Sequence, residues 1–396
     1  MIDKILFDRL TSRINSCEDA MVDLQCKLTA IPALSPENGG DGEYEKSRLI
    51  VSFLHLIGFP KITEINAPDS RVSTGVRPNL ILNLPGKDKN RTVWILSHMD
   101  VVPPGELKFW SRDPYCGYVK DGNIYGRGTE DNQQDMVASI FAVKALLDEG
   151  IKPDLSLGLA FVSDEETASD KGLKYILDHT NNPFRGNDLI VVPDSGNREG
   201  TIIEIAEKSL LWLRLETTGK QCHGSRPSEG KNAFLAASHL VVKIDELHQV
   251  FRAADLLYDP PISTFQPTKK EANVPNVNTI PGEDVFYMDC RVLPSYPLTE
   301  VLSEIHKRAQ EIESRFSVTI SITPIHQVEA PAPTPADADV VLALEEAIKY
   351  VYGVTVHPVG VGAGTVAAFF RKHGYPAAVW SRTNQTAHQP DEHCSI

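Results

Sequence analysis

Three short apolar runs, residues 92–96, 155–162 and 188–192, are each bounded by turn residues and each followed at once by acidic or histidine side chains. They are too short for helices and do not alternate, which is how strands buried on both faces of a sheet read. Between the first two lies 133–147, where Met136, Val137, Ile140, Phe141 and Leu147 recur at helical spacing. Strand, helix and strand in succession predict an α/β domain with helices on both sides of its sheet. His98 and Asp100 then stand just past the first run, Asp164, Glu165 and Glu166 past the second, and Asp194 past the third. In open parallel sheets, ligands bind outside the carboxyl ends of the strands. Asp131, after the tight Gly126-Arg127-Gly128 turn, joins the same rim. Taken singly, each of these is as readily a cap or a surface residue. Gathered on one rim, His, Asp and Glu without Cys make a ligand set suited to zinc or manganese.

The flanking chain fills out the domain plan. Residues up to Ile31-Pro32 read as a helix, followed by a loop with Pro36, Gly39, Gly40 and Gly42 and a second helix over 43–58. The pattern changes after about Glu207. Strands over 209–218, 263–269, 284–293 and 317–323 alternate with helices over 232–250 and 298–315. That order, β-α-β-β-α-β, is the ferredoxin-like plan. The segment 330–336 (APAPTPA) reads as a linker back to a helix over 338–351 and a strand over 377–380. The expectation is a catalytic domain over 1–207 and 326–396, interrupted by an inserted domain over 208–325.

Composition narrows the function classes. A net charge of −14 with no basic run leaves nucleic acid an unexpected partner. Cysteines 17, 26, 116, 222, 290 and 394 form no CxxC pair, so neither a thiolate zinc site nor a disulfide framework is expected. Reduced thiols of a cytoplasmic protein fit that usage. Met1-Ile2-Asp3-Lys4 lacks the basic head and apolar core of a signal peptide, so none is expected. No apolar run approaches the roughly 20 residues of a membrane span, so no membrane partner is expected.

Six strings carry a specific resemblance: SHMDVVPPGE (97–106), GRGTEDNQQ (126–134), SDEE (163–166), PDSG (193–196), GKQCHGSRPSEGKNA (219–233) and AHQPDE (387–392). In order and spacing, over essentially the whole chain, they resemble a zinc metallopeptidase and deacylase family. It holds acetylornithine deacetylase, succinyl-diaminopimelate desuccinylase, aminoacylase, carboxypeptidase G and several dipeptidases. The resemblance implies a zinc-exopeptidase-like α/β/α sandwich with an inserted ferredoxin-like α+β dimerisation (lid) domain. It implies two Zn2+ per chain, with Co2+ or Mn2+ as substitutes. His98 and Asp194 would hold one ion, Glu166 and His388 the other, and Asp131 would bridge them. Asp100 would accept the second N–H of the His98 imidazole and fix its tautomer. Glu165 would be the general base.

In the inserted domain the resemblance makes His223 an oxyanion donor reaching a partner subunit's site, although a polar cap in a Gly-rich turn is the plainer reading. Arg291 and Asn278 match positions that bind the substrate's carboxylate, a task suited to an arginine fork. A structural ion pair is the alternative for Arg291. Gly364 and Thr365 match a loop that donates backbone N–H groups to that carboxylate. The other nine histidines, His393 included, read as ordinary surface or core residues.

The implied reaction is hydrolysis of the amide bond of a small N-acylated amino acid by a homodimer joined through the inserted domain. A dipeptidase or aminopeptidase acting on a dipeptide is the alternative, and a carbamoyl-group amidohydrolase a more distant one. From another class, a catalytically silent, metal-stabilised binding protein is argued against by the intact Glu165. Nothing in the inserted domain resembles the phosphate site of a metal phosphoesterase. Three departures from the family stand out. Val366 follows Gly364-Thr365 where Asp is common, and Asp194 stands where many deacylases carry Glu, which leans toward the dipeptidases. The chain ends eight residues beyond His388, where relatives continue into a terminal helix. Either that helix lies beyond Ile396 or the fold closes differently here.

Overall fold

The computed structural model describes residues 3–59 and 61–396. Met1, Ile2 and Pro60 lie outside the described residues, so the first predicted helix is judged from Asp3 onward. By its internal contacts the chain divides into two compact units. The first is the chain up to Ile205 together with Thr334–Pro358 and Phe369–Ile396. The second is Ala206–Pro333 with Val359–Ala368.

The three apolar runs are the strands Asp88–His98, Leu155–Val162 and Leu189–Asn197. Asp88–His98 pairs parallel with both of the others, and Leu189–Asn197 pairs parallel with Ala377–Arg382. Antiparallel strands extend the sheet beyond these four, Leu80–Leu84 and Ile62–Glu64 on one side and Ile202–Glu207 on the other, and His357–Val361 lies outermost beside Ile202–Glu207 in a sheet of eight strands among the described residues. Successive residues of a strand face opposite sides. Ile95 packs with a cluster that includes Leu24 and Leu28 of the helix Glu18–Thr29, Ile50 and Leu54 of Tyr44–Leu56, and Met136 and Ile140 of Gln134–Asp148. Trp94 faces the other way, its ring 4.9 Å from Phe184, which in turn lies 4.7 Å from Phe370. Both faces are covered, and that is why the runs are apolar without alternation.

The N-terminal stretch predicted as one helix is two, Lys4–Asn15 and Glu18–Thr29. The helix stops at Ser16, and Cys17 closes a turn by donating to the Ile14 carbonyl (2.8 Å). The first of the two helices buries no residue, whereas the second buries Leu24 and Leu28.

In the second unit, Ser209–Thr218 alternates cleanly, with Leu211, Leu213 and Leu215 buried. It is central in a four-stranded antiparallel sheet ordered Thr264–Lys270, Glu283–Val292, Ser209–Thr218, Thr319–Val328. The helices Ala233–Asp245 and Leu298–Phe316 share its core through Leu240, Ile244, Val301 and Ile305. This is the ferredoxin-like plan. The helix predicted over 232–250 ends at Asp245 and continues as a 3-10 turn over Glu246–Gln249. Among the described residues, no helix is long and apolar enough to cross a membrane.

Gly158 pairs with Trp94 across the parallel strands, and the Trp94 ring lies where a Cβ on Gly158 would be. The ring is pinned, because its Nε1–H donates to the buried Asp188 carboxylate at 2.9 Å. Gly158→Ala is therefore expected to overpack this layer and lower stability by about 1–3 kcal/mol. Urea unfolding checks it: an unchanged midpoint would mean that the ring can move aside.

Candidate metal centre

His98 is the last residue of its strand and is buried. Its Nδ1 lies 3.0 Å from the Asp100 backbone carbonyl and 3.5 Å from Asp100 Oδ1. With Nδ1–H donated there, the lone pair of Nε2 faces Asp131 Oδ1 at 2.8 Å and Asp194 Oδ1 at 3.4 Å. That Asp194 oxygen is buried and accepts no hydrogen bond. A second group forms beside the first: His388 Nε2 lies 3.0 Å from Asp131 Oδ2 and 3.1 Å from Glu166 Oε2. In each trio, His98-Asp131-Asp194 and Asp131-Glu166-His388, the ligand atoms lie within 4.8 Å of one another. Asp131 turns one oxygen to each.

Acceptor atoms packed against acceptor atoms require a positive charge between them. Without a metal, protons fill that need. Burial opposes a charge on His98, but Asp100, Asp131 and Asp194 outweigh it and hold the imidazole well above its ordinary range. Hydrogen bonds to Asp131 and then Glu166 raise His388 to about 10. Burial and the Asp194 charge push Glu165 well above a normal carboxyl, and burial lifts Glu166 to about 7. Divalent cations relieve all of these strains at once, and nitrogen and oxygen donors suit them. The residues fit two ions that share Asp131.

The scaffold holding these ligands is built from backbone donors and buried ion pairs. Asp100 uses its carboxylate on the neighbouring strand end, accepting the N–H of Glu165 (3.1 Å) and of Glu166 (2.9 Å). Of its two acceptor groups, the backbone carbonyl is the one nearer the imidazole. Asp164 turns the chain there with a left-handed backbone (φ 64°), and its carboxylate accepts the Thr167 hydroxyl and the Lys171 N–H (2.9 Å). Its own N–H donates to Glu43, which pairs with the buried Arg77. Lys46 is also buried, its ammonium lowered to about 8 by burial although Asp100, Glu43 and Glu392 favour its charge. Asn132 ties two ligand segments together, accepting the His98 N–H at 3.3 Å and donating to the Pro193 carbonyl at 2.6 Å.

Sequence reasoning passed over Glu43, Lys46, Arg77, Asn132 and Asp135. None sits at the end of one of the three predicted strands, and Glu43, Arg77, Asn132 and Asp135 each have a partner distant in sequence. Four of them could have been suspected as charged residues on otherwise apolar, core-facing positions.

The second unit holds the other predicted residues. His223 is exposed and pairs with Thr279 in a two-stranded ribbon, and the Asn278 carbonyl accepts the Gly224 N–H at 2.7 Å. The Ser225 backbone N–H donates to His223 Nδ1 at 3.1 Å, which leaves the proton on Nε2. Arg291 binds Asp289 through two 2.7 Å contacts and donates to the Gly362 carbonyl at 2.7 Å. The Thr365 hydroxyl donates to Glu207 at 2.8 Å. Gly364 is adjacent, and a Cβ there would meet only Leu210.

Residues 94–396 match the family model described as Peptidase family M20/M25/M40. An uncharacterized metallohydrolase of Methanococcus maripaludis is 42% identical over 97% of this chain and 96% of its own length. A succinyl-diaminopimelate desuccinylase of Cereibacter sphaeroides is 26% identical over 95% of this chain and 94% of its own. The solved dipeptidase Dug1p of Saccharomyces cerevisiae superposes with a TM-score of 0.71 at 16% identity, covering 98% of this chain and 94% of that one. At that identity the likeness is one of fold.

Asp135 opens the helix behind the centre and accepts the Ser381 hydroxyl at 2.9 Å and the Gln134 amide at 3.0 Å. Burial lifts its carboxyl from 3.8 to about 7, with Asp194 and Glu130 adding to the rise against those hydrogen bonds. In metal-free protein the native state then keeps a proton that the unfolded chain releases over this window. Stability contributed by the protonated form is complete below about pH 4 and is lost as pH rises toward 7. Asp135→Asn should therefore raise the melting temperature of the metal-free protein above pH 7 and leave it nearly unchanged near pH 4. An equal effect at both ends would show that this group does not titrate across the window.

Proposed function

The chain belongs to peptidase family M20/M25/M40, and on that footing we propose that it is a two-zinc hydrolase cleaving the amide bond of a small N-acylated amino acid, of deacetylase or desuccinylase type. The observation that carries the reading is Asp131, whose two oxygens each complete a separate ligand trio. His98, Asp131 and Asp194 would hold one ion, and Asp131, Glu166 and His388 the other. Ions bound there polarise the scissile carbonyl and make water easier to deprotonate.

The protein's own groups account for the rest. Glu165 belongs to neither trio, so its carboxylate is free to take a proton from the attacking water and return it to the leaving amine. Water adds to the carbonyl carbon, the C–N bond breaks, and a carboxylate and a free amine leave. Asp100 steadies both sides of this chemistry, through the His98 ring and through the N–H groups of Glu165 and Glu166. His223 presents an Nε2–H suited to the oxyanion of the tetrahedral state. Arg291 and Asn278, with the Gly364-Thr365 loop, would receive the substrate's carboxylate. Arg291 would do so as a shared partner of Asp289. The homodimer would form through the second unit, where the helix Ala233–Asp245 leaves Phe234, Leu235 and Val242 exposed.

A dipeptide is the second reading, favoured by Asp194 with its shorter side chain. Assay of zinc-loaded protein against N-acetyl, N-succinyl and N-carbamoyl amino acids alongside dipeptides separates the two. Turnover of dipeptides alone would overturn the deacylase assignment.

The two adjacent glutamates should separate by role. Glu165→Ala is expected to lower turnover about 100- to 10,000-fold, the range for loss of a general base, while metal content stays near the native level. Glu166→Ala should lose one of two zinc ions. Elemental analysis beside kinetics reads both, and equal metal loss in the two variants would overturn the assignment of base and ligand.

A further inference from the structure

Two of the ligands, Asp131 and His388, stand on loops rather than on strand ends. A short ladder, Asn123–Tyr125 with His393–Ser395, joins the chain before the first loop to the chain after the second, but neither ligand lies on it. Asp131 has non-helical backbone angles within its turn, and Gln385, His388 and Asp391 all have left-handed ones. Besides that ladder and the bonds of Ser111 to Asp391, each loop is tied by a glutamate belonging to the other.

Glu130, the residue before Asp131, is buried. One of its carboxylate oxygens accepts the N–H of Asn384 and of Gln385 (3.0 Å). The other accepts the N–H of Thr386 and its hydroxyl (2.7 Å). Glu392, four residues beyond His388, is fully buried and returns the arrangement. One oxygen accepts the N–H of Glu130 (3.0 Å) and of Asp131 (3.1 Å), and the other the N–H of Gly128 (3.1 Å) and the Arg127 guanidinium. All four carboxylate oxygens are double acceptors, and six of the eight donors are backbone N–H groups. Hydrogen bonds to an ionised carboxylate are about twice as strong as neutral ones, and a buried donor left unmatched is costly.

We propose that Glu130 and Glu392 form a reciprocal latch that sets the separation of Asp131 from His388 and so controls occupancy of the second metal site. The inference rests on the two-metal reading. Both glutamates are positioning residues. Their effects differ by topology. Glu130 holds only the loop of His388, which serves the second trio alone. Glu392 holds Asp131, which serves both.

The test is stepwise zinc binding to the metal-free full chain in chelator-buffered solution, with thermal melting beside it. The unmodified protein should bind two ions. A glutamine at 130 offers one acceptor oxygen to four donors, so Glu130→Gln should weaken the second ion about 10- to 100-fold and the first by no more than about twofold. Glu392→Gln should weaken both. Thr386→Val, which removes the hydroxyl that donates to Glu130 and accepts the His393 N–H, should shift the second site in the same direction by less, and Thr386→Ser should restore it. This milder pair decides the matter if Glu130→Gln does not fold. Two native-strength sites in Glu130→Gln, or in Thr386→Val where that variant decides, overturn the latch and leave the two-metal reading standing. Parallel weakening of both sites in Glu130→Gln, with a fall in melting temperature, also overturns it. A single site in the unmodified protein overturns the two-metal reading and the latch together.

Discussion

Four carboxylates, Asp131, Glu165, Glu166 and Asp194, are held together against their mutual repulsion, and much of the first unit serves that arrangement. Two unit charges 4 Å apart interact by about 1 kcal/mol in water and several times more near a protein interior. A cluster of this kind opens unless the backbone beneath it cannot yield. The parallel strands provide that backbone, since strand ends fixed on both sides by ladders leave His98, the Glu165-Glu166 pair and Asp194 little freedom. Below them lies a layer of buried opposite charges: Arg77 with Glu43, Lys46 near Asp100, and Arg127 with Glu392. Removing one partner of such a pair leaves an uncompensated buried charge. The anionic rim and the cationic layer are therefore one structure.

The strands, and most of the residues that the structure gathers into the two candidate trios, could be read from sequence because their signals are local. Leu155–Val162 was legible to the residue, as an apolar run between Asp154 and Ser163. His98 and Glu166 were legible as candidates because the carboxyl end of a buried strand is where a sheet delivers ligands, whereas Asp194, expected just past its strand, lies within it because the strand continues to Asn197. His388 and the pairing of roles needed the family resemblance. The strands Leu80–Leu84 and Ile202–Glu207, which flank the parallel core, were not anticipated, because an added antiparallel strand is defined by its neighbours more than by its own pattern. The break at Ser16-Cys17 carries no Gly or Pro, and a helix with no buried face leaves no periodicity to interrupt.

The supporting residues were hidden for a different reason. Glu130, Glu392, Asp100 and Glu43 all accept backbone N–H groups, and a backbone donor leaves no mark in the sequence. Their work appears only when loops distant in the chain lie side by side. The pairing of Arg291 with Asp289 is the opposite case. Residues two apart on a strand share a face, so that contact follows from the strand assignment alone. The metal-binding and substrate-binding halves of the proposed machinery thus differ in how far local rules reach.

Gly158 and Trp94 can drift only as a pair. A side chain gained at 158 has nowhere to go while the indole is anchored to Asp188, whereas a smaller residue at 94 gives up that hydrogen bond and leaves a void, which costs stability but creates no overlap. Among descendants of this sequence, the path away from the pair runs through position 94 first, with position 158 enlarging afterwards into the vacated space. A lineage would record that order as covariation between two adjacent strands, at a place remote from any ligand and without bearing on the chemistry. Strong coupling in a sequence comparison can therefore mark one crowded layer of a sheet as readily as it marks a functional centre.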